Sequence, residues 1–180
     1  MFKIVEKRAL AENIYLLRIA APRVAASALP GQFVIVRVDE QGERVPLTIA
    51  DYDKNEGTVT IVIQTIGAST RKLCAMNEGD AIADFAGPLG NPSEFVHMTE
   101  DEIRSRRYLF VAGGVGTAPV YPQVKWLHEH GGKADVIIGA KLPRCLSIST
   151  RWSEWPRIYM WLPTMARMAS RVWLRPRLRI

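Results

Sequence analysis

Tyr108-Leu109-Phe110-Val111-Ala112-Gly113-Gly114-Val115-Gly116-Thr117-Ala118-Pro119 is an apolar run that feeds a glycine-rich turn, and a helix-like stretch, Ala118 to His130, begins in its last residues. A strand entering such a turn aims backbone N–H groups and a helix N-terminus at one point, which suits the pyrophosphate of a dinucleotide. Gly-Gly turns between strand and helix also occur simply to permit tight packing, so this stretch leaves both readings open. A second apolar run, Ala134 to Gly139, completes a strand–helix–strand unit.

Upstream the pattern changes. Short runs of alternating apolar and polar residues recur at Phe2 to Lys7, Ile14 to Ala20, Phe33 to Val38, Thr58 to Gln64 and Ala81 to Phe85. Turn signals separate them at Leu29-Pro30-Gly31, Gln41-Gly42, Asn55-Glu56-Gly57 and Asn77-Glu78-Gly79-Asp80. Runs at this spacing predict a closed or nearly closed antiparallel barrel over residues 1–98, interrupted by one short helix, Ser69 to Met76. Residues 99–141 then form the first βαβ unit of a nucleotide-binding domain.

Two segments of the barrel carry chemistry. In Arg44-Val45-Pro46-Leu47-Thr48-Ile49, a cation, a rigid proline and a hydroxyl lie within one strand. Arginine suits bidentate phosphate binding. Strand alternation puts Pro46 and Thr48 on one face, where the hydroxyl can meet a ligand ring. The plainer reading is an edge strand with a surface arginine. Gly67-Ala68-Ser69-Thr70 opens the short helix with free N–H groups and hydroxyls, which is either an anion site or an ordinary N-cap.

The order and spacing of these pieces resemble the ferredoxin reductase-type flavoprotein family, over about Met1 to Ala140. Within it, the likeness is to electron-transfer subunits of dihydroorotate dehydrogenase and to the alpha subunit of NADH-dependent ferredoxin–NADP reductase. Leu29-Pro30-Gly31-Gln32-Phe33, Gly87-Pro88-Leu89-Gly90 and Pro119-Val120-Tyr121-Pro122 fall where that subfamily has them. The resemblance implies an all-β Greek-key barrel that binds FAD, followed by a truncated α/β nucleotide-binding domain. Arg44 would hold the pyrophosphate, and Val45, Pro46, Leu47 and Thr48 would line the flavin, with Thr48 near its reactive N5 edge. Val62, Ile63 and Gln64 would flank the cofactor; Gly67, Ser69 and Thr70 would sit at its phosphates. Gly113, Gly114, Val115, Gly116, Thr117 and Pro119 would receive NAD(P)H. The implied activity moves electrons between NAD(P)H and FAD and on to a catalytic partner subunit in a hetero-oligomer. Such chemistry needs placement and electrostatics from the protein, since the flavin does the redox work. No proton-transferring side chain is then required, and His128 and His130 read as surface residues rather than ligands.

Composition bounds this reading. The chain has 180 residues, enough for one good-sized domain or two small ones. Met1 to Leu10 has no apolar leader core, and no run approaches the roughly 20 apolar residues that span a membrane, so a cytoplasmic protein is expected. Its two cysteines, Cys74 and Cys145, lie far apart, which fits a reducing compartment and offers no self-contained zinc or iron–sulfur set.

The net charge of +6 is not a global property. Residues 1–140 carry 15 Lys and Arg against 17 Asp and Glu, whereas residues 141–180 carry nine basic residues against the single Glu154. That last stretch also holds Trp152, Trp155, Trp161 and Trp173 and has neither Gly nor Asp. The family would continue here with a helix, more parallel strands, an Asp-Asp-Gly-Ser-Tyr-Gly segment and four cysteines on a [2Fe–2S] cluster. The genetic code accounts for the break. Codons ACG AGA TGG AGC for Thr150-Arg151-Trp152-Ser153, read one base earlier after a G, give Asp-Glu-Met-Glu. In that frame Trp155-Pro156 must yield Ala, Met160-Trp161 must yield Val, and Met165-Ala166 and Met168-Ala169 must each yield Gly. Residues 142–180 are therefore expected to be an out-of-frame, poorly ordered tail, leaving two strands in the nucleotide unit and an incomplete nicotinamide site. The competing reading makes Trp173 to Arg179 a basic–aromatic arm for nucleic acid or an anionic membrane. The out-of-frame account also explains the missing Gly and Asp, so neither partner is expected. A non-catalytic flavin-binding remnant is the alternative function.

Overall fold

Alternating apolar residues fold Phe2–Ala11 (β1) and Ile14–Ala20 (β2) into an antiparallel hairpin. Asn13, in the turn, takes a left-handed φ of 64°, a conformation that asparagine tolerates. The computed structural model describes residues 1–139 and the backbone strand Ile158–Trp161. Expectations for the rest of 140–180, including Cys145 and the frame of the tail, lie outside the described residues.

The barrel continues through Phe33–Arg37 (β3), Val45–Asp53 (β4), Thr58–Gln64 (β5), Ala81–Ile82 (β6) and Asp84–Leu89 (β7). The strand order is β6-β1-β2-β5-β4-β3-β7. After the hairpin the chain crosses to β3, runs as a meander to β5, and returns beside β2, which is Greek-key connectivity. The two ends of this order, β6 and β7, are separated in the chain by Ala83 alone, so the sheet wraps round on itself. Ala83 N–H donates to the Val38 carbonyl at 3.1 Å, which carries the β3–β7 pairing up to the join with β6. The inward faces of the strands supply Ile4, Leu17, Val34, Ile49, Ile61 and Phe85, each at most 2% exposed. Burying each such side chain contributes roughly 1.5–3 kcal/mol.

Two short helices plug this barrel. Pro22–Ser27 (α1) buries Val24 and Ala25; Ala68–Ala75 (α2) buries Leu73 and Cys74. The sequence reading anticipates α2 to within one residue and misses α1, whose small apolar face lacks a long helical period.

A connecting helix, Glu100–Ser105 (α3), is set by a capping box in which Thr99 and Glu102 satisfy each other's backbone N–H. Arg107–Gly113 (β8), a 3₁₀ turn over Gly114–Val120, Tyr121–Glu129 (α4) and Lys133–Gly139 (β9) follow. The expected helix from Ala118 to His130 is thus 3₁₀ over its first residues and α-helical from Tyr121 onward. Pro122 lacks the N–H group that an α-helix starting at Ala118 would donate to the Ala118 carbonyl.

Strands β8 and β9 are parallel. A third strand, Ile158–Trp161 (β10), lies parallel to the other edge of β9, pairing Ile158 with Val136 through Trp161 with Gly139. This corrects the expectation of two strands. An open β9 edge presents unpaired N–H and C=O groups, and the Ile-Tyr-Met-Trp run has the bulky composition that favours pairing there.

Candidate functional site

The barrel is not closed evenly. Strands β4 and β5 pair from Asp53↔Thr58 to Ile49↔Ile61 and no farther. Beyond that point β4 keeps β3 as its partner, through Val36↔Val45, and β5 keeps β2, through Ile14↔Gln64. The two strands part, and the predicted segments Val45–Thr48 and Val62–Gln64 flank the opening.

Alternation decides what each residue offers. On β4, Pro46 and Thr48 are exposed on the outer face, while Val45 and Leu47 are half-buried and Leu47 packs on the barrel core. On β5, Gln64 is exposed, but Ile63 points into the barrel core at 1% exposure. Ile63 can therefore present only backbone to a ligand. Val62, on the outer face, is buried against Leu10, Leu16, Ala50 and Ala118. Its side chain helps to seat the glycine turn.

At one end of the opening the two candidate anion segments meet. Ser69 Oγ donates to Glu43 Oε2 at 2.5 Å, which brings the first turn of α2 to the residue preceding Arg44. Lys72 pairs with Asp39 on the same loop, holding the Asp39 carboxyl below its usual range. Arg44 itself is 62% exposed and reaches Asp84 at 3.6 Å, a loose contact that leaves the guanidinium facing outward. Thr70 is committed locally. Its Oγ1 accepts from the N–H groups of Ile66 and Gly67, so neither the hydroxyl nor those amides are as available as the sequence suggested. A Cβ on Gly67 would meet nothing within 4 Å, so the helix start opens onto free space.

At the other end sits the glycine turn. Gly113, Gly114 and Gly116 are exposed, Val115 and Pro119 are half-buried, and Thr117 is buried at 3%. Gly114 has φ +55°, a left-handed conformation that explains glycine at this position. Val115 and Ala118 dock on Ala50 and Val62, which places the turn against the outer face of β4 just past Thr48. One strand face thus runs from Arg44 through Pro46 and Thr48 to Ala50, open at first and then covered by the turn.

Two residues that the sequence reading missed hold that turn's helix to the barrel. Lys125 Nζ on α4 lies 3.0 Å from Asp51 Oδ1 and 3.4 Å from the Tyr52 carbonyl oxygen. Burial alone would lower the lysine's pKa; Asp51's charge and hydrogen bond, with Tyr121 and Glu129, outweigh it and raise the pKa above its ordinary value. Asp51 directly extends the Arg-x-Pro-Leu-Thr strand, which was the one available signal; its partner, 74 residues away, could not be read from spacing. His128 is exposed, and His130 stacks on Trp126 at 3.8 Å with its Nδ1 2.7 Å from the Trp126 carbonyl oxygen. Among the described residues no helix is long and apolar enough to cross a membrane.

An antiparallel barrel opening toward a glycine turn at the head of a parallel sheet is the ferredoxin reductase-type fold. The chain belongs to the oxidoreductase FAD-binding domain family, whose pattern its residues 1–93 match. A Clostridium beijerinckii protein, described as an uncharacterized protein in the adh 3′ region, is 62% identical over 141 residues, covering 78% of this chain and 48% of that protein. A Thermotoga maritima protein, named as a homolog of the electron transfer subunit of dihydroorotate dehydrogenase B (NAD(+)), is 42% identical over 152 residues, covering 84% of this chain and 51% of its own. Among solved structures, that of the NADH-dependent reduced ferredoxin-NADP oxidoreductase superposes with a TM-score of 0.78 at 37% identity, over 90% of this chain and 56% of that one. Phthalate dioxygenase reductase, at 19% identity and a TM-score of 0.69 over 89% of this chain and 50% of that one, shares the fold. The chain spans about half the length of the curated relatives it matches.

Proposed function

We propose that this chain carries the flavin-binding and hydride-receiving part of an electron-transfer subunit, which takes electrons from NAD(P)H and passes them to a partner subunit. The observation that carries this reading is the single outer face of β4. It begins at the exposed Arg44 guanidinium, continues past an exposed proline and hydroxyl, and ends under the glycine turn. Bound FAD would supply the redox chemistry there.

Each of the chain's own groups then has a task. Arg44 binds the pyrophosphate with its planar fork, and Ser69 with the first amides of α2 supplies further donors. Pro46 and Thr48 orient the ring system, and Thr48 Oγ1 offers a hydrogen bond at its edge. Gly113, Gly114 and Gly116 let a nicotinamide nucleotide's phosphates approach the backbone. Val115, Ala118, Ala50 and Val62 keep water from the seam between the two parts. The open β4–β5 gap and the free space at Gly67 support the fit of this cofactor.

The names of the relatives support a hetero-oligomer, because an electron transfer subunit delivers to another chain. The test is reconstitution with FAD, desalting, and anaerobic addition of NADH or NADPH. Retained flavin absorbance that bleaches on addition supports the reading; failure to retain FAD overturns it.

The composition break near residue 141 favours a second reading, a flavin-binding remnant with an incomplete nicotinamide site. Protein that stays yellow under NADH but bleaches with dithionite would select it. We also infer that residues 142–180 are read out of frame, beginning between Lys141 and Thr150. Sequencing the gene checks this: a reading frame with no one-base insertion or deletion there would sink the idea.

A further inference from the structure

Apolar contact alone does not fix where the glycine turn sits. The seam between turn and barrel is made of small or aliphatic side chains, Val115 and Ala118 against Ala50, Val62, Leu10 and Leu16. Such contact is non-directional and tolerates sliding. Lys125 Nζ to Asp51 Oδ1, at 3.0 Å, is a directional link across the same seam, and Ser93 Oγ donates to Gln123 Oε1 of α4 at 3.1 Å nearby. We infer that Lys125 and Asp51 form a latch that sets the register of the nucleotide turn against the β4 strand, and that both are positioning residues for electron entry from the nicotinamide.

Both ends of the latch are rigid. Asp51 Oδ1 also accepts the Tyr52 N–H at 2.9 Å, so the carboxylate is oriented by its own strand before the lysine arrives. Asp51 follows an irregularity in the β4–β5 register between Ile49 and Asp51. The ammonium is held at three points: the Asp51 carboxylate, the Tyr52 carbonyl and the face of the Tyr52 ring, 5.8 Å from its centroid. The side chains are 31% and 13% exposed, so the pair is shielded more than a surface bridge and its geometry constrains more.

The lever arms on either side are short. Lys125 lies about 6 Å along α4 from Tyr121, where the 3₁₀ turn ends. Asp51 lies about 10 Å along β4 from Thr48. A displacement at the ion pair therefore reaches the Gly114–Thr117 turn and the Thr48 hydroxyl with little room to be absorbed. Misplacement by about 1 Å is enough to slow a positioned reaction about a hundredfold.

This inference rests on the proposed function, and the test separates the two. Lys125→Met, Lys125→Arg and Asp51→Asn are each reconstituted with FAD and assayed for flavin retention, hydrogen exchange and anaerobic reduction by NADH. Lys125→Met is expected to retain FAD as the parent does and to bleach normally with dithionite. Its reduction at saturating NADH is expected to fall about ten- to a hundredfold, with Lys125→Arg restoring most of the rate. Amides of 113–117 are expected to exchange at least about tenfold faster while those of 58–64 do not change, corresponding to about 1.4 kcal/mol of lost local protection. Unchanged exchange at 113–117 overturns the latch whether or not the parent reacts with NADH. A parent that retains FAD but ignores NADH, with faster exchange in Lys125→Met, overturns the proposed electron entry and keeps the latch as a docking element. Loss of FAD from Lys125→Met overturns the assignment, since the pair would then be supporting the barrel.

Discussion

Ser69 Oγ donates a 2.5 Å hydrogen bond to Glu43 Oε2, which joins the first turn of α2 to the loop that delivers Arg44. Two segments 26 residues apart, each ambiguous by itself, are brought together along one wall of the proposed site. Glu43 also places a carboxylate beside the expected phosphate position, so an arriving pyrophosphate must take Ser69 from it. Ser69→Ala is therefore predicted to weaken FAD about ten- to a hundredfold, the value of a hydrogen bond to a charged group. Glu43→Gln removes the competing charge and is predicted to bind FAD at least as tightly as the parent. Titration of FAD fluorescence checks both.

Arg44 gives a cleaner separation of binding from stability. Its exposed contact with Asp84, at 3.6 Å, adds little to folding. Arg44→Ala is predicted to leave the melting temperature within a degree or two while weakening FAD about ten- to a hundredfold. Arg44→Lys should recover only part of that, because an ammonium cannot form the fork. A large drop in melting temperature would mean the residue serves the barrel instead.

Two glycines should respond differently to the same substitution. A Cβ at Gly57, where φ is +65°, would lie 2.9 Å from Pro22 Cβ and 3.2 Å from Pro22 Cα. Gly57→Ala is predicted to destabilise the barrel by about 3 kcal/mol, backbone strain plus overpacking. A Cβ at Gly114 meets nothing within 4 Å, so Gly114→Ala should lose only the roughly 1–2 kcal/mol of left-handed strain. FAD affinity should be unaffected at Gly114 and NADH reactivity reduced. Urea unfolding with the reconstituted assays tests the contrast.

Cys74 lies against the barrel core, and burial pushes its thiol up to about 11, with Lys7 acting weakly the other way. Since the thiolate is the reactive form, Cys74 is predicted to react with thiol reagents at neutral pH only after unfolding. Labelling followed by peptide mapping, with and without denaturant, gives the answer; fast labelling of the native protein would contradict it.

The latch has a defined pH window. Burial, then Glu129 and Asp51, push the Tyr52 phenol to about 12, and Lys125 is also raised. A lysine raised on folding contributes stability that is complete below its unfolded value of 10.5 and is lost as pH climbs through its folded value. A tyrosine raised on folding favours the native state until the unfolded phenol begins to ionise near 10.0. Both signs agree. Exchange protection at 113–117 is predicted to be flat through neutral pH and to fall only above about pH 10. Loss of protection near neutrality would point to a different group.

Much of this protein was legible in its sequence. Period-two alternation located β2 and β5 to the residue, and glycines marked the turns. Pro46 and Thr48 were assigned to one face of β4 by the same alternation, and the structure places both outward. Those features are local, because side-chain direction along a strand follows from backbone geometry. Tertiary structure decided the rest. It turned Ile63 inward, committed the Thr70 hydroxyl to its own helix start, and placed Val62 under the glycine turn. It added Ile158–Trp161 to the edge of β9, since an open edge takes a partner that composition alone does not identify. Above all it set Lys125 against Asp51, a pairing that exists only because the barrel and the α4 helix pack face to face. Sequence determines which groups a strand or helix can present; the closing of distant segments on one another decides which of them meet.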